Sequence, residues 1–372
     1  MNAALSPALA TTGGIAGRGA PEPRYAPTPA SALDGVIRRA DQVRAAVLRA
    51  ACAIPAVRPW ALRLVDVRRR ALWLGLWCVA VSALVALRFP MISLWLGVAL
   101  FGVPHVVSGV RHLAVRWRLS PATWCAVGGA ALAGVLQLGG AGGLWTGVAF
   151  SVLFTLAMAS EAVLGPGAGI ARRATLLALA ILFGAASLRW PLRSTIVLSH
   201  AHAVSSMICL GLLSRRRASL AWIPLAVAGA LMVAAFAGAF DAWLPAAPLL
   251  PASSAASLEL TRQFATFPGA SPIVQQRALF AYAFGQALHY SIWVRLVPDV
   301  DRPASVPQSF RVAWRRLRAD LGRWAVPLAA ACALAPAAIL LGGSSGREAY
   351  FTLVYFHVGL EAAALVGLLR TA

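Results

Sequence analysis

Residues Met91–His112 read MISLWLGVALFGVPHVVSGVRH. The run is close to the ~20 residues that an α-helix needs to cross about 30 Å of hydrocarbon. Its first formal charge, Arg111, comes only at the end. The same pattern recurs along the chain. Ten apolar runs lie at approximately 71–87, 91–110, 121–139, 144–163, 174–190, 193–213, 219–240, 277–297, 324–343 and 349–369. They are continuous, without the alternating polar positions of a membrane barrel strand. The pattern predicts an all-α fold: a polytopic integral membrane helix bundle of about ten transmembrane helices.

Composition agrees. Of 372 residues, 60% are apolar and 12% are charged, with a mean hydropathy of +0.74. Soluble domains carry about 25% charged residues, so a soluble globular protein is excluded. The net charge is +21, and every fixed positive charge is Arg, since the chain contains no Lys. So large a charge could signal nucleic acid. Here the Arg residues cluster at the ends of apolar runs, which is a topology signal instead, and no nucleic-acid partner is expected. With the N-terminus in the cytoplasm, 27 Arg fall inside and six outside. The split predicts a multi-pass protein of the cell inner membrane with both termini cytoplasmic. Cys52, Cys78, Cys125, Cys209 and Cys332 are scattered, four of them within apolar runs. They read as small buried hydrophobes rather than a disulfide framework.

Three regions follow. Residues 1–30, rich in Pro, Ala and Gly, read as a disordered tail. Residues 31–70 read as a basic amphipathic segment, with Leu33, Val36, Ile37, Ala40, Val43, Val47 and Leu48 at helical spacing and Arg38, Arg39, Arg44 and Arg49 between them. That suits either an anionic headgroup surface or a helix covering the cytoplasmic ends of the bundle. Residues 71–372 are the transmembrane domain. Within it, 241–276 form a long outside connection, either a lid or a linker. Residues 298–323 form an inside one, whose Phe310, Trp314, Leu317 and Leu321 make a second amphipathic stripe. No internal repeat, GxGxxG or P-loop is evident.

The informative residue is histidine. All six lie within, or at the inner end of, apolar runs: His105, His112, His200, His202, His289 and His357. Ionisable groups inside a membrane are costly and point to function. They occur only on the second, sixth, eighth and tenth runs, which share one direction under this topology. His200, His357 and His289 sit about 7, 8 and 12 residues into their runs, a spread of roughly 8 Å at 1.5 Å per residue.

Each motif suggests a role. His105 and His112 are two turns apart and share a face, flanked by the small residues Gly102, Ser108 and Gly109 that permit close approach. Pro104 is expected to kink that helix. His200 and His202 point about 200° apart, so one is expected to be a ligand and the other to bond a neighbouring helix; His200, beside Ser199 and nearer the middle, is preferred. His289 is preceded one turn earlier by Gln286 and followed by Trp293. His357 and Glu361 share a face at four residues' spacing. Glu361 is the candidate catalytic carboxylate, either ligating a metal with His357 or accepting the N–H of a ligating imidazole. Glu161, near an inner helix end, is expected to snorkel to the interface.

All six histidines are thus candidate metal ligands. Imidazoles favour iron, copper, zinc or nickel, and as neutral ligands they bring no charge into the low-dielectric interior. With one carboxylate they could hold iron(II) with a position open for dioxygen, while an apolar substrate enters sideways from the bilayer. HExxH is absent, which removes the common zinc-protease reading. The clustered His boxes of membrane di-iron desaturases are absent as well.

The run Gly102-Val103-Pro104-His105, followed by His112, resembles the Pro-His-Gly…Asp-His signature of the Brp/Blh-type β-carotene dioxygenases. Those are bacterial and archaeal membrane enzymes with several intramembrane His, taken to hold iron, that cleave β-carotene centrally to retinal. His289 and His357, on separate later helices, are similar in style. Val106 stands where that signature has Gly, and Arg111 where it has Asp. The resemblance implies an iron-dependent oxygenase acting on an apolar lipid or isoprenoid, with dioxygen as co-substrate. Two other readings stay open: a His-ligated haem electron-transfer protein, and a transporter or channel using intramembrane His.

Overall fold

The computed structural model describes residues 32–63, 66–115, 119–138, 143–164, 169–214, 219–244, 267, 269–300, 309–341 and 343–371. The tail 1–30 and most of the connection 241–276 lie outside the described residues. Among the described residues every regular element is helical. The helices are α1 (Ala32–Ala53), α2 (Arg58–Arg63), α3 (Val67–Arg88), α4 (Pro90–Gly109), α5 (Pro121–Leu138), α6 (Gly143–Leu164), α7 (Ile170–Arg189), α8 (Pro191–Ser214), α9 (Trp222–Phe236), α10 (Pro272–Ser291), α11 (Phe310–Leu321), α12 (Ala325–Leu341) and α13 (Gly343–Thr371). Each of the ten apolar runs falls mainly on one helix, α3 to α10, α12 and α13. Among the described residues, five segments are long and apolar enough to cross a membrane: Arg68–Arg88, Pro90–Val115, Ile170–Arg189, Ile196–Ser214 and Phe310–Ile339. The apolar part of the last is α12.

Local chemistry sets the joints. Asp66 caps α3 by accepting from the Arg69 N–H at 2.9 Å. A helix stops where the next residue precedes proline, because the proline ring disfavours the helical region there, and proline is welcome at the first helical position. Two joints use this device with nearly the same residues. Leu87-Arg88-Phe89-Pro90 links α3 to α4, and Leu188-Arg189-Trp190-Pro191 links α7 to α8. Phe89 and Trp190 both adopt extended φ, −139° and −135°. In each, the serine three residues after the proline donates its backbone N–H to the aromatic residue's carbonyl, Ser93 at 2.8 Å and Ser194 at 2.9 Å.

Helix α10 packs on α3, α4, α8 and α9, with its Phe280, Phe284 and Leu288, and Ile292 and Trp293 of the turn that follows, buried. Helix α13 packs on α4, α5, α6, α8 and α12. The four His-bearing helices therefore form the middle of the bundle. Two of them run on into π-helical turns, Val110–Val115 after α4 and Ile292–Leu296 after α10. A π-turn loosens the backbone ladder, and Ser108 Oγ of α4 donates to the Trp293 carbonyl at that loosened point.

The segment 31–70 does not end cleanly at the bundle. Arg70 lies in the first turn of α3, buried, with its Nε 2.6 Å from Asp299 Oδ2. Helix α1 packs on α11. Asp41 caps α11 by accepting from the N–H groups of Phe310 (2.6 Å) and Arg311 (3.0 Å). The opposite side of α1 leaves Val36, Val43 and Val47 exposed, one helical face without a protein partner among the described residues.

Candidate metal centre

His105 of α4, His202 of α8, His289 of α10 and His357 of α13 meet in the middle of the bundle. All four are buried, and one nitrogen from each lies within 4.8 Å of the others. The ring centroids are 4.5 Å apart for His105 and His357, 4.2 Å for His202 and His289, 5.1 Å for His105 and His289, and 5.6 Å for His289 and His357. A metal with bonds of about 2.1 Å sets its nitrogen ligands roughly 3–4 Å apart, so a small contraction brings these donors into a coordination shell.

Small residues allow the convergence. A Cβ on Gly109 would lie 2.5 Å from His357 Cε1 and 2.8 Å from its Nδ1, so the imidazole occupies space only glycine leaves. A Cβ on Gly285, one turn before His289, would lie 2.9 Å from the Ala203 methyl, next to His202 in sequence.

Glu361 completes the group. It is fully buried on α13. Its Oε2 lies 3.1 Å from His202 Nδ1 and 3.4 Å from His357 Nε2, and its Oε1 accepts from Ser205 Oγ at 2.9 Å. His105 Nδ1 sits 3.1 Å from the Phe101 carbonyl. A carbonyl can only accept, so Nδ1 carries the proton and Nε2 keeps its lone pair. Both ring nitrogens of His289 and His357, Glu361 Oε2 and Trp293 Nε1 are buried without a hydrogen bond of ordinary geometry. Buried polar atoms are rarely left so; the imidazole and carboxylate atoms among them carry lone pairs that could hold a metal ion, whereas the indole N–H of Trp293 can only donate.

Two of the six sequence candidates stand apart from this group. His200 stacks on Phe267 (centroids 5.6 Å) and meets the tilted ring of Tyr282 (5.2 Å). Of the pair on α8 it is therefore His202 that faces the centre, and the preference for His200 is corrected. Two residues' spacing turns the rings far apart, and the packing of α8 decides which one points in. His112 is buried on the π-turn Val110–Val115. The wider turn there breaks the two-turn register that would have kept it on the His105 face. Glu161 does not snorkel: it is buried, accepting from the Ser120 N–H at 3.0 Å and Thr123 Oγ1 at 2.6 Å at the start of α5.

Sequence reasoning missed Ser205, Phe101 and Tyr290, whose ring lies 4.8 Å from that of His105. Ser205 follows His202 by three residues, a signal that was available once His202 was preferred. Tyr290 and the Phe101 carbonyl had none. Two apolar openings flank the centre. One, of about 250 Å³, lies among α6, α7, α8 and α13 and has His202 and Ser205 in its wall. The other, of about 520 Å³, lies among α3, α4 and α10 and reaches Phe101 and Tyr290. Comparison with protein families, with curated proteins and with solved structures finds no match to this chain.

Proposed function

We propose that the chain is a multi-pass protein of the cell inner membrane, with about ten spans and both termini cytoplasmic, that uses the buried histidine centre as a non-haem iron oxygenase on an apolar lipid or isoprenoid. The observation that carries this reading is the meeting of His105, His202, His289 and His357, one from each of four helices, within 4.8 Å. The topology is supported by where the charge pairs lie. Arg70–Asp299, Arg111–Asp320 and the Asp41 cap of α11 all fall in the Arg-rich segments assigned to the cytoplasmic side.

The donors fit a first-row metal ion. Four neutral imidazoles and one carboxylate leave a divalent ion with a modest net charge, as a low-dielectric interior requires. His105 would bind through Nε2, since its Nδ1 proton is committed to Phe101. His202 would bind through Nε2 as well, its Nδ1 facing Glu361. Ser205 holds the other carboxylate oxygen and so fixes the angle of Glu361. Bound iron(II) would supply the redox chemistry that dioxygen needs to react with a closed-shell hydrocarbon. The 250 Å³ opening supports an apolar substrate, because its wall is aliphatic and aromatic apart from His202 and Ser205. A haem fits less well: imidazole rings 4.2–5.6 Å apart leave no slot for a macrocycle between them.

Metal analysis of protein purified in lipid nanodiscs tests the reading. We expect about one iron per chain, lost in His289→Ala, and dioxygen consumption on addition of a carotenoid or other isoprenoid. A metal-free protein that takes up no iron(II), zinc or copper on titration would overturn it. Solute flux in proteoliposomes, abolished by His289→Ala and without oxygen uptake, would favour the transporter reading instead.

A further inference from the structure

The 520 Å³ cleft has no part in that proposal, and its chemistry differs from that of the opening beside His202. Its walls come from three helices: Cys78, Val81, Ser82 and Val85 of α3, the Phe89–Phe101 face of α4, and Ala287, Tyr290, Ser291, Val294 and Arg295 of α10 and its π-turn. From Phe89 to Phe101 it follows α4 for roughly 18 Å at 1.5 Å per residue. It opens sideways: Val81, Val85, Leu96 and Leu100 are all exposed large hydrophobics. At one end stands Arg295, its side chain 51% exposed.

The charge at that end is the decisive feature. Asp299 is buried and meets two guanidiniums, Arg70 Nε through Oδ2 at 2.6 Å and Arg295 Nη1 through Oδ1 at 3.2 Å. Arg70 is buried with it, whereas Arg295 keeps half its surface open with further N–H donors at the mouth of an apolar trough. A guanidinium fork matches a carboxylate in shape as well as charge. The trough, about 520 Å³ and open along one side, has room for a hydrocarbon chain. Ser82, Ser93 and Ser291 are the only uncharged hydroxyl side chains in its wall besides Tyr290, so the long body of a ligand meets almost nothing polar.

We infer that this cleft binds a single-chain amphiphile with an anionic head, a long-chain fatty acid, with its carboxylate on Arg295 and its chain along α4. The chain passes Tyr290, whose ring forms the cleft wall and packs on His105, so the bound lipid lies one side chain away from the histidine centre without touching it. The inference does not rest on the oxygenase reading, because no residue of the histidine group lines the cleft.

Tritiated palmitate binding to the full chain in phosphatidylcholine nanodiscs tests it. Saturable binding is expected, about tenfold weaker in Arg295→Gln and absent in Leu96→Trp, whose indole fills the trough. Hexadecanol, of equal chain length without the charge, is expected to compete at least about tenfold less well than palmitate. Protein stripped of metal by a chelator is expected to bind palmitate as before, which separates this result from the fate of the oxygenase proposal. Equal competition by hexadecanol, unchanged binding in Arg295→Gln, or saturable binding retained in Leu96→Trp would overturn the inference. So would displacement of palmitate in phosphatidylglycerol nanodiscs, which would make the occupant a phospholipid.

Discussion

Two polar regions of this bundle are built on opposite plans. At the Arg-rich end, charged groups meet partners of opposite sign: Arg70 and Arg295 on Asp299, Arg111 on Asp320 at 2.7 Å. In the middle, four imidazoles crowd together with one carboxylate, and several of their atoms have no hydrogen bond of ordinary geometry. Each such atom costs about 1–3 kcal/mol when nothing replaces water. The first arrangement sets each charge against one of opposite sign and holds helices together. The second is stable only if something else satisfies it, and that is why it reads as a ligand site rather than as a structural pin.

That contrast can be broken by experiment. The largest effect is expected from His289→Ala, which removes a donor from the centre: bound metal is lost entirely, as read by elemental analysis, while the helical circular dichroism signal persists. Asp299→Ala should do the reverse. It leaves two guanidiniums without their shared carboxylate, costing about 3–5 kcal/mol of stability, seen as a lower unfolding temperature, with metal content per folded molecule unchanged. Metal loss in Asp299→Ala equal to that in His289→Ala would erase the distinction between the two regions. Gly109→Ala sharpens it further. The added methyl displaces the His357 ring without removing a donor, and metal affinity should fall about 10- to 100-fold, the range of a lost supporting contact. His112→Ala and His200→Ala, by contrast, should change metal affinity no more than about twofold, whereas His202→Ala should behave like His289→Ala.

The smallest effect concerns a third, half-buried pair. Arg277 donates to both oxygens of Asp241, its Nε to Oδ1 at 2.9 Å and its Nη2 to Oδ2 at 2.5 Å. The hydrogen bonds from Arg277 hold the Asp241 carboxyl below its ordinary value of 3.8. A group whose pKa is depressed by folding contributes stability above its unfolded value and loses it as pH falls through the folded one. Unfolding temperatures of wild type and Asp241→Asn should therefore differ slightly at neutral pH and converge in acid below pH 3.8, with the difference shrinking in high salt.

Much of the architecture was legible without coordinates. Continuous apolar runs and Arg at their ends are local properties, and the helices α3 to α10, α12 and α13 sit where those runs are. Histidine stood out because an imidazole is costly in hydrocarbon, so its confinement to four of ten runs was a signal in itself. The choice between His200 and His202 was not legible. It depends on the rotation of α8 against α10 and α13, which is set by contacts such as Ala203 on Gly285. Nor could spacing show that a π-turn would carry His112 away from His105, since the sequence period assumes regular turns.

What the amino-acid order determined by itself is the class of molecule, apolar helices with Arg at their ends, and the placing of imidazoles where they are expensive. Tertiary structure alone decided which four of the six rings share a centre, that Glu361 and Ser205 support it, and that Arg295 closes one end of an apolar cleft. The physical reason is that helix formation and hydrophobicity act along the chain, whereas the phase of one helix against another is settled by packing between residues far apart in sequence.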